Sequence, residues 1–233
     1  SLEVIATPVE GYTASLVAKN ASCEVDEDGK TFTFETSAEG SIVATRNFFE
    51  VNGVGYPTFA AALAAAEEGD TITLKADCTI DVGEEYEAPQ VNNNITLDLA
   101  GNDLYINGDE SICEIIESLT LINSGADATI GIDAETQYSP LFTGEALIVG
   151  TMENQDQMGF VIFDAQVFDG SEVTVYQAKI AKEYNTDPNL FIVPEGYKMD
   201  TESDEDYYIV KKEGEEPNFV IKIVDGKSYE TID

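Results

Sequence analysis

Apolar and polar side chains alternate strictly in Asn94-Ile95-Thr96-Leu97-Asp98-Leu99, as they do in a half-buried β-strand. The same pattern returns in four further segments, Ile72-Thr73-Leu74, Leu119-Thr120-Leu121, Leu147-Ile148-Val149 and Val173-Thr174-Val175. The central residues of the five copies, 73, 96, 120, 148 and 174, are separated by 23, 24, 28 and 26 residues. This repeat predicts an all-β solenoid whose copies stack about 4.8 Å apart around one continuous core. Within it we expect Ile95, Leu97 and Leu99 to point inward, and Thr96 and Asp98 to point outward.

A helical segment precedes the first copy. Phe59, Ala62, Leu63 and Ala66 have helical spacing and follow Thr58, a favourable N-cap residue. Gly69 suits the C′ position that follows a helix. Because a solenoid needs its open end covered, we interpret residues 57–69 as a short N-terminal capping helix.

Residues 1–49 have the pattern of a small β-rich module. Strands are predicted at 12–18, 31–34 and 41–45, and Asp28-Gly29 is typical of a hairpin turn. Asp26 and Asp28 are explained by this turn, because no further acidic ligand follows at the spacing of a calcium loop. The sequence therefore predicts no metal site.

The central region resembles a known fold family in two places. Tyr56-Pro57-Thr58-Phe59, the Ala-rich helix and Glu68-Gly69-Asp70-Thr71-Ile72 are similar to right-handed parallel β-helix modules of large secreted bacterial proteins, which have a pectate-lyase-like fold. Pro194-Glu195-Gly196-Tyr197 with Tyr207-Tyr208-Ile209-Val210 resembles the hairpin that ends such modules. The resemblance implies a β-helix over residues 50–212 and an extracellular or cell-surface location.

The N-terminal module has a looser resemblance of its own. Pro8-Val9-Glu10-Gly11-Tyr12, Phe32-Thr33-Phe34 and Val43-Ala44-Thr45 resemble the internalin-type B repeats of bacterial surface proteins. This match covers about forty residues of the module 1–49 and also implies a tandem array on a cell surface.

A leucine-rich repeat is the alternative architecture. Leu97, Leu99, Asn102 and Leu104 have the spacing of that repeat. The other copies lack the asparagine, which favours the β-helix.

The last residues, 213–233, begin as a linker, Glu213-Gly214-Glu215-Glu216-Pro217. Residues 224–232 then align without gaps on residues 51–59, with identical Val, Gly, Tyr and Thr at four positions. We interpret this segment as the start of a possible next module, so that tandem modules of the same longer chain are expected neighbours.

Charge and composition limit the partners. The chain has 46 acidic and 11 basic residues, a formal net charge of −35, which disfavours nucleic acid as a partner. No apolar run is long enough to insert into a membrane. The three cysteines lack the spacing of a metal site, and we expect them to be small buried hydrophobic residues.

The catalytic inventory is poor. The chain has no His and a single Arg, Arg46, which removes the usual triads and the cations with which lyases of this fold hold acidic sugars. Asp98, Asp103 and Asp109 are the candidate carboxylates for a glycoside hydrolase, although turn and solvent-facing roles explain them more simply. We therefore predict no enzyme activity, no catalytic residue and no cofactor.

Binding is the remaining chemistry. Tyr86, Tyr105, Tyr138 and Tyr176 could form an aromatic platform for carbohydrate, although tyrosines of a β-rich chain more often pack with the ring inward. The sequence thus predicts a non-catalytic adhesive or spacer module that binds an extracellular glycan or protein, with a polysaccharide-active enzyme as the alternative.

Overall fold

The computed structural model describes residues 2–18, 23–25, 31–34, 40–83, 86–132, 140–152 and 157–214. Strands dominate, and the chain forms a β-solenoid of about four turns with one short helix. The predicted all-β parallel β-helix is confirmed.

The N-terminal residues form small antiparallel sheets, whose strands are β1 (Leu2–Ile5), β2 (Tyr12–Ala18), β3 (Cys23–Val25), β4 (Thr31–Phe34) and β5 (Gly40–Arg46). β4 lies between β1 and β3, whereas β2 pairs with β5. Phe32 of β4 is fully buried. The predicted strands 12–18 and 31–34 match β2 and β4, and β5 extends the predicted 41–45 by one residue at each end. The predicted Asp28-Gly29 turn lies outside the described residues.

A hairpin and a helix close the first end of the solenoid. β6 (Phe49–Val51) and β7 (Val54–Tyr56) are joined by Asn52-Gly53, whose φ angles of 50° and 80° suit a tight hairpin turn. α1 (Phe59–Ala65) follows, and its N–H of Ala61 donates to Oγ1 of Thr58, the predicted N-cap, at 3.2 Å. The rings of Phe49 and Phe59 lie 5.7 Å apart, so the helix packs directly on the hairpin.

The end of the helix differs from the prediction. Ala66, not a residue next to Gly69, is the C-cap, and its backbone is already extended at φ −79° and ψ 137°. Gly69, at φ +83°, lies in the turn before the first coil and donates its N–H to the carbonyl of Asn94 at 2.8 Å. The left-handed conformation predicted at Gly69 is present, but it starts the first coil instead of ending the helix.

The strands that follow are β8 (Thr71–Leu74), β9 (Cys78–Val82), β10 (Gln90–Val91), β11 (Ile95–Asp98), β12 (Leu104–Gly108), β13 (Cys113–Ile122), β14 (Ala128–Ile132), β15 (Phe142–Val149), β16 (Val161–Asp164), β17 (Phe168–Val175), β18 (Ala178–Ala181), β19 (Phe191–Ile192), β20 (Tyr197–Asp200) and β21 (Tyr207–Lys212). The first sheet has the order β7-β6-β8-β11-β13-β15-β17-β19, and the second has the order β9-β12-β14-β16-β18-β21-β20. Each coil therefore places strands on both sides of the core. A leucine-rich repeat would have a helical segment on one side, so this alternative is not supported.

The register confirms three of the four predicted steps. Thr96 lies opposite Thr120, Thr120 opposite Ile148, and Ile148 opposite Thr174. The first step is wrong, because Leu97 lies opposite Ile72 and not opposite Leu74. A shift of two residues keeps every side chain on its own face of a strand, which is why the alternation alone could not detect it.

A third face lies beside the first sheet. β10 pairs with the beginning of β13, and the first halves of β13, β15 and β17 pair in parallel through Cys113, Phe142 and Phe168. The register shifts between Ile115 and Ser118, where the chain bends from this face into the first sheet. The second end of the solenoid is completed by the antiparallel pair β20 and β21, as predicted for the terminal hairpin.

The core is continuous from the N-terminal hairpin to the terminal hairpin. Ile95 is 3% exposed and Leu97 and Leu99 are fully buried, as predicted. Cys78 and Cys113 are buried free thiols within the same core, which confirms the expectation for these two cysteines. The side chain of Cys23 and residues 215–233, including the predicted start of a next module, lie outside the description.

Candidate functional site

Asp98, the first candidate carboxylate, is only 8% exposed, which corrects the prediction that it faces solvent. One oxygen accepts the N–H groups of Ala100 and Ser124, both at 2.9 Å, and the other accepts the Ser124 hydroxyl at 2.6 Å. Ser124 belongs to the next coil, 26 residues along the chain. The carboxylate thus closes the corner after β11 and joins two coils.

Asp103 has a similar position at the other end of the same turn, directly before β12. Its backbone N–H donates to the Asp77 carboxylate at 2.9 Å, and its own carboxylate accepts the N–H of Thr129 at 2.7 Å. Asp127 continues the arrangement by accepting the N–H of Phe160 at 2.9 Å. Asp77, Asp103 and Asp127 each directly precede a strand of the second sheet, and each accepts a backbone N–H of the following coil. We call Asp77, Asp98, Asp103 and Asp127 the inter-coil aspartates.

Asp109, the third candidate, is exposed in the turn after β12, where its backbone N–H donates to the carbonyl of Val82 at 3.2 Å. The other two candidates, Asp98 and Asp103, flank the turn that joins β11 to β12, and the carboxylate of each accepts a backbone N–H of the following coil. Their chemistry in the fold is that of structural acceptors.

The predicted tyrosines do not share one surface. Tyr105 lies on β12 of the second sheet, whereas Tyr176 follows β17 and packs edge-on against Tyr197, with ring centroids 5.1 Å apart. β14 and β16 lie between β12 and β18, the strand that follows Tyr176. Tyr86 precedes β10 on the third face, and Tyr138 lies outside the described residues. Binding of carbohydrate by any of them stays a prediction.

Tyr86 lines a cavity of about 370 Å³ between the N-terminal hairpin, α1 and β9. The other lining groups include Phe48, Ile80 and Asp81. The Tyr86 hydroxyl donates to the carbonyl of Ile112 at 2.6 Å, and burial, with a smaller contribution from Cys113, raises its pKa to about 12. A phenol held in this way is a neutral packing group.

The thiols of Cys78 and Cys113 are equally unreactive. Cys78 lines the same cavity, and burial raises its pKa to about 11 against a smaller opposing effect of Arg46. Burial also raises the pKa of Cys113. Since the thiolate is the nucleophile, these two cysteines are not suited to covalent catalysis.

Carboxylates surround Tyr105 on the outer face of the second sheet. Burial and the charges of Asp103, Asp164 and Asp77 raise the pKa of Tyr105, while a hydrogen bond from Thr129 lowers it. Across the described ranges, no group of three or more Cys, Asp or Glu side chains has the arrangement needed to hold a metal ion.

Nothing among the described helices has the length and apolar character needed to cross a membrane. No protein-family model, curated protein or solved structure matches the chain.

Proposed function

We propose that this chain is a non-catalytic module of a secreted or surface-attached bacterial protein, in which it acts as an adhesive or spacer element. The observation that carries the proposal is the use of the inter-coil aspartates. Asp98 and Asp103, which a hydrolase of this fold would need as acid and nucleophile or base, accept backbone hydrogen bonds from the next coil. A carboxylate that already accepts backbone N–H groups is poorly placed to transfer protons to a sugar.

The architecture supports a spacer role. α1 with its hairpin covers one end of the solenoid, and β20 and β21 cover the second sheet at the other end, so the exposed strand edges that promote aggregation are shortened. The parallel ladders and the inter-coil aspartates link each coil to its neighbours along the whole axis. Such a unit keeps the segments before and after it in a longer chain at a fixed distance from each other.

The location is proposed from the resemblances of residues 1–49 and 50–212 to modules of bacterial surface proteins. A net charge of −35 suits an exposed, highly hydrated surface module. The ligand class is an extracellular glycan or protein, and Tyr105 and Tyr176, which are both partly exposed, are the tyrosines proposed to contact it.

A substrate screen tests the proposal. The purified chain is incubated with a panel of neutral and acidic polysaccharides, and release of reducing ends and of unsaturated products is measured, together with binding on a glycan array. We expect no turnover. Product release that is abolished by Asp103→Asn, but kept by the exposed control Glu117→Gln, would replace the module by a polysaccharide-active enzyme. The carboxylates around Tyr105 are where that enzyme would have its site.

A further inference from the structure

Within the described part of the chain, the third face ends on a strand edge that lacks a neighbouring strand. In the earlier coils each strand of this face pairs with the next, β10 with β13, β13 with β15, and β15 with β17. After β18 the chain instead forms a turn and a 3-10 helix, Pro188–Leu190, before β19. β19 returns to pair only with Val173 and Thr174. Among the described residues, no strand pairs with residues 168–172 on this side.

Asn185 fixes where the free edge begins. Its side chain is 7% exposed, accepts the N–H of Val167 at 3.1 Å and donates to the carbonyls of Ala165 and Ala181 at 2.8 and 3.0 Å. Asn185 therefore takes the hydrogen-bonding place of a neighbouring strand up to Val167. Between this residue and Val173 the edge is about five residues long, or about 16 Å at the rise of a strand.

A groove of about 350 Å³ runs along this edge, and we call it the edge groove. One wall is residues 168–173 of β17 and the other is residues 184–187 with Leu190 and Phe191. Leu190 is 67% exposed and the neighbouring Ile192 is 49% exposed, so an apolar rim remains uncovered beside the free edge. An extended peptide needs both features, since main-chain bonds give affinity and alternate side chains need apolar contacts.

The charge of the edge groove selects the partner. Asp169, Glu172 and Asp187 line it, and none of its lining residues is Lys or Arg. Lys182, the cation nearest along the chain, is directed to the terminal hairpin, where its ammonium donates to the carbonyls of Thr201 and Asp204. A second copy of this chain would bring its own charge of −35 to the contact and is disfavoured.

We infer that the edge groove binds a basic, extended peptide segment of another protein, which adds to the free edge of β17 as the missing strand of the third face. Lysine or arginine side chains on one side of the segment meet Asp169, Glu172 and Asp187, and apolar side chains on the other side contact Leu190. The inference names a protein as the ligand of the proposed adhesive module. It rests on the proposed function only for the extracellular setting in which the chain meets this partner. Loss of peptide binding would leave the result of the substrate screen unchanged.

The test uses an acetylated, amidated Lys-Val-Lys-Val-Lys peptide, with binding to the full chain measured by calorimetry at low salt. Two control peptides carry Glu in place of Lys, or N-methyl groups at alternate amides. We expect the basic peptide to bind and both controls to fail, because one reverses the charge and the other removes the main-chain donors. Equal binding of the N-methylated peptide would overturn strand addition, and self-association in sedimentation velocity without peptide binding would assign the groove to a second copy.

A matched pair of variants locates the site. Asp169 and Glu114 occupy one column of the third face, since Glu114 lies opposite Thr143 and Thr143 opposite Asp169, but both sides of Glu114 are paired. Asp169→Lys should lower the affinity for the basic peptide by about tenfold or more, whereas Glu114→Lys should lower it by less than about twofold. Equal losses would mean non-specific attraction to the acidic surface and would overturn the inference. Hydrogen exchange of the unaltered chain gives a second readout, because bound peptide should slow exchange in residues 168–172 and not in residues 113–115.

Discussion

Asp98 and Ser124 form a two-point contact between successive coils, in which the carboxylate accepts both the backbone N–H at 2.9 Å and the hydroxyl at 2.6 Å of the serine. Hydrogen bonds of this kind are repeated by Asp103 and Asp127, which directly precede β12 and β14, and they satisfy backbone donors where the parallel ladders are interrupted. The acidic composition of the chain is therefore partly structural, because some of its carboxylates accept backbone N–H groups in the turns, as carbonyl groups do in the strands.

The first prediction concerns this contact. Asp98→Ala removes an acceptor from three donors, one on Ala100 and two on Ser124, and leaves them poorly satisfied in a corner that is largely closed to solvent. We expect the free energy of unfolding to fall by about 2–4 kcal/mol in urea titrations, and Asp98→Asn, which keeps an amide oxygen, to cost less. Glu117→Ala, at an exposed site of β13, is the control and should change it by less than about 0.5 kcal/mol. Similar losses for Asp98→Ala and Glu117→Ala would contradict a structural role of Asp98.

The difference between prediction and structure at Asp98 shows how far alternation reaches. The apolar positions of β11 were predicted correctly because period two fixes which side chains share a face. The same pattern cannot distinguish a polar residue in the middle of a strand from a polar residue at the last position of a strand. At the last position the side chain can bend over the backbone of the next coil. Asp98 is the last residue of β11, and its burial follows from that position.

The edge groove was missed for a related reason. The strands of the second sheet and of the third face vary in length and spacing, and the predicted ladder followed only the first sheet. Asp187-Pro188 was a usable signal, because proline lacks the N–H that a paired strand needs and aspartate caps the short helix that follows. The tyrosine platform could not be assessed from sequence, since it depended on which coil and which sheet each tyrosine occupies.

The second prediction addresses the core. Leu97→Asp places a carboxylate at a fully buried site between coils, at a cost of several kcal/mol that is comparable to the whole stability of a domain. We expect this variant to lose the cooperative thermal transition of the solenoid, followed by circular dichroism. Thr96→Asp is the matched control one residue away on the outer side of β11, and should keep the transition. An unchanged melting temperature for Leu97→Asp would be incompatible with the solenoid core.

The third prediction concerns the bend between the third face and the first sheet. Gly144 has φ +119°, and a Cβ at this position would lie 2.0 Å from the carbonyl oxygen of Ile115 in the preceding coil. Because that neighbour is backbone, Gly144→Ala should lower the free energy of unfolding by about 3 kcal/mol. Gly83→Ala is the control, since a Cβ at Gly83 would meet no atom within 4 Å. Equal urea midpoints for the two variants would show that the close approach of these coils is not maintained in solution.

The last prediction is a pH dependence that Tyr86 produces. Burial raises its pKa to about 12 from an ordinary value of 10, so the folded state holds the phenolic proton more tightly than the unfolded state does. The corresponding stability is present below pH 10 and is lost as the pH rises toward 12. At pH 8, Tyr86→Phe should be less stable by about 1 kcal/mol, because it lacks the hydrogen bond to the carbonyl of Ile112.

Between pH 10 and 12 the difference in the free energy of unfolding between the unaltered chain and Tyr86→Phe should shrink. The unaltered chain loses stability in this range because its phenol ionises on unfolding, and the variant has no phenol at this position. Urea midpoints measured across this range give the comparison, and the common response of the other tyrosines and the three thiols cancels in it. Tyr12→Phe, at an exposed tyrosine of the N-terminal module, shows what loss of a solvent-exposed hydroxyl does under the same conditions. The difference in the free energy of unfolding between the unaltered chain and Tyr86→Phe could instead stay constant up to pH 12. That result would mean that the Tyr86 hydroxyl is open to water, and that the wall of the cavity beside β9 is not closed as the structure has it.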